Sequence, residues 1–312
     1  MSDRGCILRT ERLSALEKVW SDIFKRTFEP TPFSSYEWFA ALSKNLLRSD
    51  PEITVFTDDG QVRAILPAMI DDGAIRSLGD QRVTDLFDMV CEPGDEKSVC
   101  AAIAGAAQNQ GLRIDLFPLD SRSRLAVHLA EMLHDVAVKD GDTCPLLELP
   151  GSWDGFLGKL GSKDRHELRR KMKRVNAAAL EKVKTDEIHD LYRLMGLSNE
   201  NKEKFMTPDI VAFFDDLVRL FNRREWLRAR KLVLDGRTAA MMLAFTLGER
   251  IYLYNMGYDP AFRSLSPGIV AVALDIRSAI SEGCRYYDFL RGDEDYKYRL
   301  GAIPRRTVRI AG

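Results

Sequence analysis

The residues able to do chemistry in this chain gather in its last third. Arg263-Ser264-Leu265-Ser266-Pro267-Gly268 stands directly before a helix-forming run. The charged string Arg291-Gly292-Asp293-Glu294-Asp295-Tyr296-Lys297 follows the strand-like Tyr287-Asp288-Phe289-Leu290. A helix N-terminus presents unpaired N–H groups and the positive end of the helix dipole, so it draws phosphate. Gly268 permits close approach to the backbone, Ser264 and Ser266 supply hydroxyl donors, and Arg263 supplies charge. The bland reading of these six residues is a capped turn, with Ser266 as the cap and Pro267 as the first helical residue. The string beyond the strand has the groups that acyl transfer from a thioester to an amine or hydroxyl requires. Asp288, Asp293 or Glu294 could act as base, and Tyr296 or Tyr298 could protonate the departing thiolate. A backbone N–H near Asn255, Met256 and Gly257, where the third strand is expected to end, would meet the tetrahedral oxyanion. The bland reading of the string is a solvated loop whose ions pair with one another.

The elements that must position these residues follow from periodicity and turn chemistry. Strand-like runs at 228–234, 238–247 and 250–256 are joined by Asp235-Gly236 and Gly248-Glu249. A helix from Ser266-Pro267-Gly268 ends near Gly283, a strand occupies 285–290, and a last strand occupies about 305–310. Upstream lie a basic helix at about 163–179 and helices near 187–204 and 208–224. The first half starts with a helix capped by Ser34 and Glu37, then strands at 53–57 and 62–70 around Asp58-Asp59-Gly60. A helix over about 95–110 and a strand at 112–117 complete it. The boundary between the halves falls at Pro150-Gly151, giving units 1–150 and 151–312.

The two halves read as a worn repeat. Gly60 to Pro93 is 33 residues and Gly236 to Pro267 is 31, and both final strands carry an Asp before two apolar residues, at Asp115 and Asp288. The turns differ in charge. Glu92-Pro93-Gly94-Asp95-Glu96 puts three carboxylates where a pyrophosphate would sit. The expectation is one anion site per chain, in the second half, with the first half shaping the acceptor cleft.

Seven cations (Lys163, Arg165, Arg169, Arg170, Lys171, Lys173, Arg174) face two acids within twelve residues of the basic helix. Leu168, Met172, Val175 and Ala179 form its apolar stripe. Arg169 and Arg170, with Arg291 and Lys297 from the later string, are the candidates to hold an anionic acceptor. An anionic membrane surface is the other partner such a helix suits; a solvated face paired with acids is the bland alternative. It lacks the interleaved aromatics of a single-strand nucleic-acid site. Helix 208–224 has a wide apolar face, expected to be core between the halves, with a dimer interface as the alternative. His128, His134, His166 and His189 read as surface or capping residues.

Bulk composition sets the remaining limits. The 312 residues exceed one usual core. With 46 basic and 47 acidic residues the chain has no general attraction to nucleic acid or anionic lipid, so any anion site is local. The five cysteines have neither Cys-x-x-Cys spacing nor a ligand pattern with histidine, which argues against a metal site and suits a reducing cytoplasm. Met1-Ser2-Asp3-Arg4 does not open a signal peptide, and no run of about 18 apolar residues exists. The expectation is a cytoplasmic location.

Arg263-Ser-Leu-Ser-Pro-Gly268 resembles the Arg/Gln-x-x-Gly-x-Gly/Ala loop of GNAT-type N-acetyltransferases, with Ser266 in place of the first glycine and Gly268 as the second. The string Tyr287 to Lys297 resembles the signature of the CelD-type branch, bacterial acetyltransferases associated with cellulose biosynthesis. Pro32-Phe33-Ser34-Ser35-Tyr36-Glu37-Trp38 and Asn255-Met256-Gly257-Tyr258-Asp259-Pro260 resemble the same branch. The likeness covers roughly residues 30–301. That branch resembles the Fem aminoacyltransferases in carrying two fused GNAT-like halves. The resemblance therefore implies an α/β fold of two such halves, each a mixed sheet flanked by helices. It implies acetyl-CoA or another acyl-CoA as donor, and an acceptor from polysaccharide or envelope synthesis. Two alternatives stay open: a Fem-like transferase that takes an aminoacyl group from tRNA, and a non-catalytic accessory protein of a polysaccharide synthase.

Overall fold

A computed structural model describes residues 6–133, 136–175 and 178–312; His134 lies outside them. The chain begins β1 (Ile7–Arg12), α1 (Glu17–Phe24), α2 (Tyr36–Leu42), β2 (Glu52–Asp58), β3 (Gln61–Leu66), β4 (Ala68–Asp71), β5 (Ala74–Ser77) and β6 (Val90–Cys91). It continues α3 (Glu96–Gln110), β7 (Arg113–Asp120), α4 (Arg124–Met132), β8 (Ala137–Thr143) and β9 (Leu146–Glu148). Then come α5 (Trp153–Lys159), α6 (Ser162–Arg174), β10 (Ala179–Lys182), α7 (Ile188–Ser198), α8 (Glu200–Phe205) and α9 (Pro208–Arg223). The chain closes with β11 (Leu227–Leu234), β12 (Arg237–Leu247), β13 (Arg250–Tyr258), α10 (Pro267–Ser281), β14 (Tyr286–Asp288), α11 (Asp295–Arg299) and β15 (Arg306–Ala311). These elements form two compact units, residues 1–142 with 305–312, and residues 143–304. The sequence division at 150/151 put the last strand in the second half; the structure pairs it with β7.

The second unit is one six-stranded sheet in the order β10-β11-β12-β13-β14-β9, all neighbours antiparallel except β13 and β14. Asp235 and Gly236 both adopt left-handed conformations, at φ 50° and 72°, the turn that matches the twist of the β11–β12 hairpin. One face of the sheet packs on α10, whose Val270, Val272, Ala273 and Ile276 are fully buried. The other face carries α7 and α9. Phe213, Phe214, Leu217 and Phe221 of α9 are fully buried, and their ring partners Tyr192, Tyr254, Trp226 and Phe245 belong to the same unit. The wide face of α9 is thus the core of its own unit, a correction to the expectation that it lies between halves. Each such side chain contributes about 1.5–3 kcal/mol by leaving water, and that need is met locally.

The first unit holds a four-stranded sheet, β1-β2-β3-β6, and a five-stranded sheet, β4-β5-β7-β15-β8. Pro67 separates β3 from β4, since a proline cannot donate to a ladder. Taken through that break, the order β1, β2, β3/β4, β5, β7, β15 repeats the order β10, β11, β12, β13, β14, β9 of the second unit. The single parallel pair recurs at the same place, β5 with β7 and β13 with β14. The repeat read from the spacing of Gly60, Pro93 and Asp115 is visible in this topology. One detail is exchanged: the strand that follows the first unit, β9, completes the second sheet, and the strand that follows the second, β15, completes the first.

Local signals were displaced by a residue or two in places. Ser35, not Ser34, caps α2, accepting from the Trp38 N–H. Helix α6 stops at Arg174, so Ala179 opens β10 and is not part of the apolar stripe. The helical run at 187–204 is broken by Asn199, whose extended backbone and side chain cap α8.

Candidate active site

The ladder between β13 and β14 covers only Arg250–Tyr252 against Tyr286–Asp288. β13 then runs on to Tyr258 with β12 as its partner, and its other edge has no strand beside it among the described residues. A bulge at the Leu243/Ala244 step gives β13 one extra residue, a local device that redirects a strand. Because of it, Leu253 and Met256, three apart, both pack on the α10 side, where unbroken alternation would put them on opposite faces. The result is a wedge-shaped opening between diverging strands, flanked by the start of α10.

The candidate cradle is built as follows. Pro260–Leu265 is a 3-10 turn held by the Asp259 side chain, which accepts from the Ala261 N–H. Ser266 follows in a left-handed conformation, φ 53°, and α10 begins at Pro267. The Ser266 side chain makes no cap hydrogen bond; its Oγ accepts from Lys171 Nζ at 2.9 Å. Ser266 thus stands at the N-cap position before Pro267, as the capped-turn reading has it, but its hydroxyl serves Lys171 and not a helix amide. Gly268 is buried, and a Cβ there would lie 3.0 Å from Met256 Cε. Arg263 and Ser264 are exposed on the turn before the helix.

Gly257 has a different reason to be glycine. A Cβ there would sit 2.3 Å from the Met195 N and 2.5 Å from the Leu194 carbonyl carbon, so the α7 backbone occupies that space. It serves helix–strand approach within β13, and the strand does not end at 255–257 as expected but pairs through Tyr258.

Beyond β14 the charged string folds on itself. Asp288 is fully buried and its Oδ1 accepts from the Leu290 N–H at 3.0 Å, holding a turn in which Leu290 has φ 53°. Lys297, 3% exposed, donates to the carbonyls of Phe289, Arg291 and Gly292 and pairs with Glu294 at 2.9 Å. All its N–H groups face the loop, so it ties the loop and is not presented to a substrate. Asp293 accepts from the Tyr298 hydroxyl. Glu294 is mostly exposed, and Tyr296 is half-buried against Phe289. Burial, then the charge of Glu294, holds the Tyr296 phenol above its ordinary value of 10.0, so it keeps its proton at neutral pH. Arg291 is half-buried beside them.

A residue that the sequence reading missed joins these elements. Lys202 of α8 reaches β13, where its Nζ donates to the Met256 carbonyl at 2.6 Å. Burial pulls its pKa below the ordinary value, the charge of Glu294 opposes that, and Lys297 adds to it. Lys202, Glu294, Lys297 and Tyr296 thus share one electrostatic neighbourhood at the opening. No motif marks Lys202 within Glu200-Asn201-Lys202-Glu203-Lys204. Lys171 was legible: three residues from Leu168, it falls on the packed flank of α6. On the outer face Arg169 is exposed, and Arg170 pairs with Glu167 at 2.8 Å.

Below the opening lies a buried ion cluster. Arg228 donates to Asp275 and Glu282, and the Tyr287 hydroxyl donates to Asp275 at 3.0 Å. Asp275 is the one acid of the largely apolar α10, a sequence signal for such pairing.

In the first unit the equivalent helix start is closed by its own residues. Glu96 accepts from the Gly94 N–H at 2.8 Å and pairs with Arg124, while Glu92 pairs with Arg26 and Asp95 with Arg63. Each carboxylate of that turn has an arginine, and the Glu96 carboxylate already takes the Gly94 N–H, so the turn is closed by occupancy as well as by its acidic charge.

Comparison with known proteins bears on the fold. Residues 162–298, within the second unit, match the family model described as Acetyltransferase (GNAT) domain. The fold is similar to the crystal structure of FemX, with a TM-score of 0.66 at 12% identity over 94% of this chain and 95% of that one. It is similar to L-PGS from Bacillus licheniformis, with a TM-score of 0.55 at 11% identity over 88% and 90% of the two chains. A conserved protein of unknown function from Bacteroides thetaiotaomicron gives 0.58 at 12% identity over 98% and 99%. No curated protein sequence matches the chain. The architecture is α/β, two fused GNAT-like halves. No helix among the described residues is long and apolar enough to cross a membrane, and they contain no metal-binding cluster.

Proposed function

We propose that the second unit transfers an acyl group, acetyl in the simplest case, from acyl-CoA to an amine or hydroxyl acceptor. The observation that carries this reading is the convergence at the β13–β14 opening: the start of α10 with Gly268 on one side, and Lys202, Glu294 and Tyr296 on the other. The pyrophosphate would rest on the α10 amides with Arg263, Ser264, Ser266 and Lys171 around it. The thioester would lie along the open edge of β13 beside Met256, where a strand amide can donate to the oxyanion. Glu294, the exposed carboxylate nearest that edge electrostatically, suits the base, directly or through water, with Asp293 beside it. Tyr296 retains a proton for the leaving thiolate. Asp288 and Lys297 hold the loop that presents them, and Arg291 and Arg169 meet the acceptor. The likeness of the 287–297 string to the CelD branch supports an acceptor from polysaccharide or envelope synthesis, and the scattered cysteines suit a cytoplasmic setting.

The exposed basic face of α6, joined to the donor cradle through Lys171 and Ser266, favours a second reading, an aminoacyl-tRNA donor. Calorimetric titration with acetyl-CoA separates the two. Saturable binding at one site, lost in a folded Gly268→Glu variant, supports acyl-CoA. Absence of binding, with aminoacyl transfer that RNase treatment of the donor abolishes, would replace that reading with the second.

A further inference from the structure

The first unit keeps its own strand opening at the place equivalent to the β13–β14 opening. β5 and β7 pair only over Ala74–Arg76 against Arg113–Asp115, and the chains then part. Between Arg76-Ser77-Leu78-Gly79 and Phe117-Pro118 lies a cleft of about 200 Å³, closed on the far side by Arg309 of β15. A merely degenerate copy would fill this space with apolar side chains. Here two guanidinium groups and the Thr84 hydroxyl share the lining with Leu78, Phe117 and Pro118, while the Ser77 hydroxyl accepts from the Phe117 N–H at 2.7 Å.

The polar groups there are incompletely used. Arg309 is bidentate on Asp115, at 2.6 and 2.8 Å, and this contact holds the Asp115 carboxyl below the ordinary range. Arg76 lies 3.7 Å from Asp71 and 3.9 Å from Asp72, beyond hydrogen-bond reach, and its guanidinium makes no hydrogen bond among the described residues. Thr84 is 1% exposed, and its Oγ1 has no hydrogen-bond partner among the described residues. Gly79 leaves that hydroxyl uncovered, since a Cβ there would lie 3.3 Å from Oγ1. A buried hydroxyl without a partner is unfavourable unless something else bonds to it.

We propose that this cleft binds a small oxyanion, a carboxylate or phosphate, held by Arg76 with Arg309 behind it and by the Thr84 hydroxyl. The lining carries two guanidinium groups and one carboxylate, and the exposed Asp71 and Asp72, 3.7 and 3.9 Å from Arg76, are the groups a bound oxyanion must outcompete for that guanidinium. The volume equals on the order of seven waters, which limits the ligand to one small acid and excludes a nucleotide or CoA. The site is separate from the acyl-CoA cradle, whose first-unit counterpart is closed by Glu96.

The test uses the full chain and two probes, lactate for the carboxylate source and inorganic phosphate for the other, titrated by calorimetry and ligand-observed NMR. The variants are Arg76→Gln and Thr84→Val. Thr84→Val removes a hydroxyl that bonds nothing in the protein, so the fold tolerates it; an unchanged unfolding midpoint confirms that. Saturable binding of either probe, weakened at least tenfold in both variants, supports the proposal and identifies the source. Acetyl-CoA titration stays unchanged in both variants. No saturable binding of either probe, or binding that neither variant weakens, overturns it.

Discussion

Gly257 and Gly268 lie eleven residues apart in sequence and both read as donor-site glycines, yet the structure assigns them opposite consequences. At Gly257 the obstacle is backbone. A Cβ would stand 2.3 Å from the Met195 N, where ordinary contacts begin at 3.4 Å, so α7 and β13 must part by about 1 Å. Overpacking of that kind costs about 3 kcal/mol. The loss of glycine freedom in the unfolded chain returns only about 0.4–1 kcal/mol. Gly257→Ala is therefore destabilising by about 2–3 kcal/mol, a fall of roughly 4–12 °C in the transition of the second unit. At Gly268 the obstacle is the tip of Met256, 3.0 Å from the new Cβ and free to turn aside. Alanine inside a helix also gains up to about 1 kcal/mol over glycine. Gly268→Ala should then stay within about 1 kcal/mol of the native protein while weakening acetyl-CoA about tenfold. Urea unfolding and calorimetry on both variants decide the matter. A Gly257→Ala protein with the native midpoint and impaired binding would refute the close-approach argument and restore Gly257 to the donor site.

Other outcomes follow from the same geometry. Arg228→Met strands Asp275, which has no exposure, and should cost about 3–5 kcal/mol in urea unfolding. Lys202 has a folded pKa below its ordinary 10.5, so between those two values the unfolded chain binds more protons and stability rises with pH; a pH series of unfolding midpoints should show less of that rise in Lys202→Met. Arg169→Glu should raise the acceptor KM with little change in acetyl-CoA affinity, whereas Lys171→Met, through Ser266, should weaken acetyl-CoA first. Calorimetry should count one acetyl-CoA per chain, because Glu96 fills the other helix start; two sites would contradict that.

Hairpins, helices and their order were legible because their causes are local. Asp235-Gly236 needs left-handed backbone that few other pairs supply, and the period of Ile210, Phe213, Phe214 and Leu217 defines one helix face. Which surface that face meets is not local, and α9 turned out to cover its own sheet. The opening between β13 and β14 was half legible: the Ser-Pro-Gly start of α10 marks one wall, but the parallel ladder is only three pairs long, shorter than the strand read at 285–290. Lys202 was invisible for a related reason. Its partner is a main-chain carbonyl 54 positions away, and a carbonyl leaves no trace in residue type. The acidic turn at 92–96 was legible, but its partners were not, because Arg26, Arg63 and Arg124 come from three separate segments.

The exchange of β9 and β15 sets an order on the making of the molecule. Domains usually mature as they leave the ribosome, first part first. Here the five-stranded sheet of the first unit needs β15 in its interior, between β7 and β8, and β15 is synthesised after every strand of the second unit. The second unit has β9 in hand before its own strands emerge. The part translated first is therefore the part completed last, and until then β7 waits with an open edge, the kind of surface that a chaperone shields and a neighbouring nascent chain can capture.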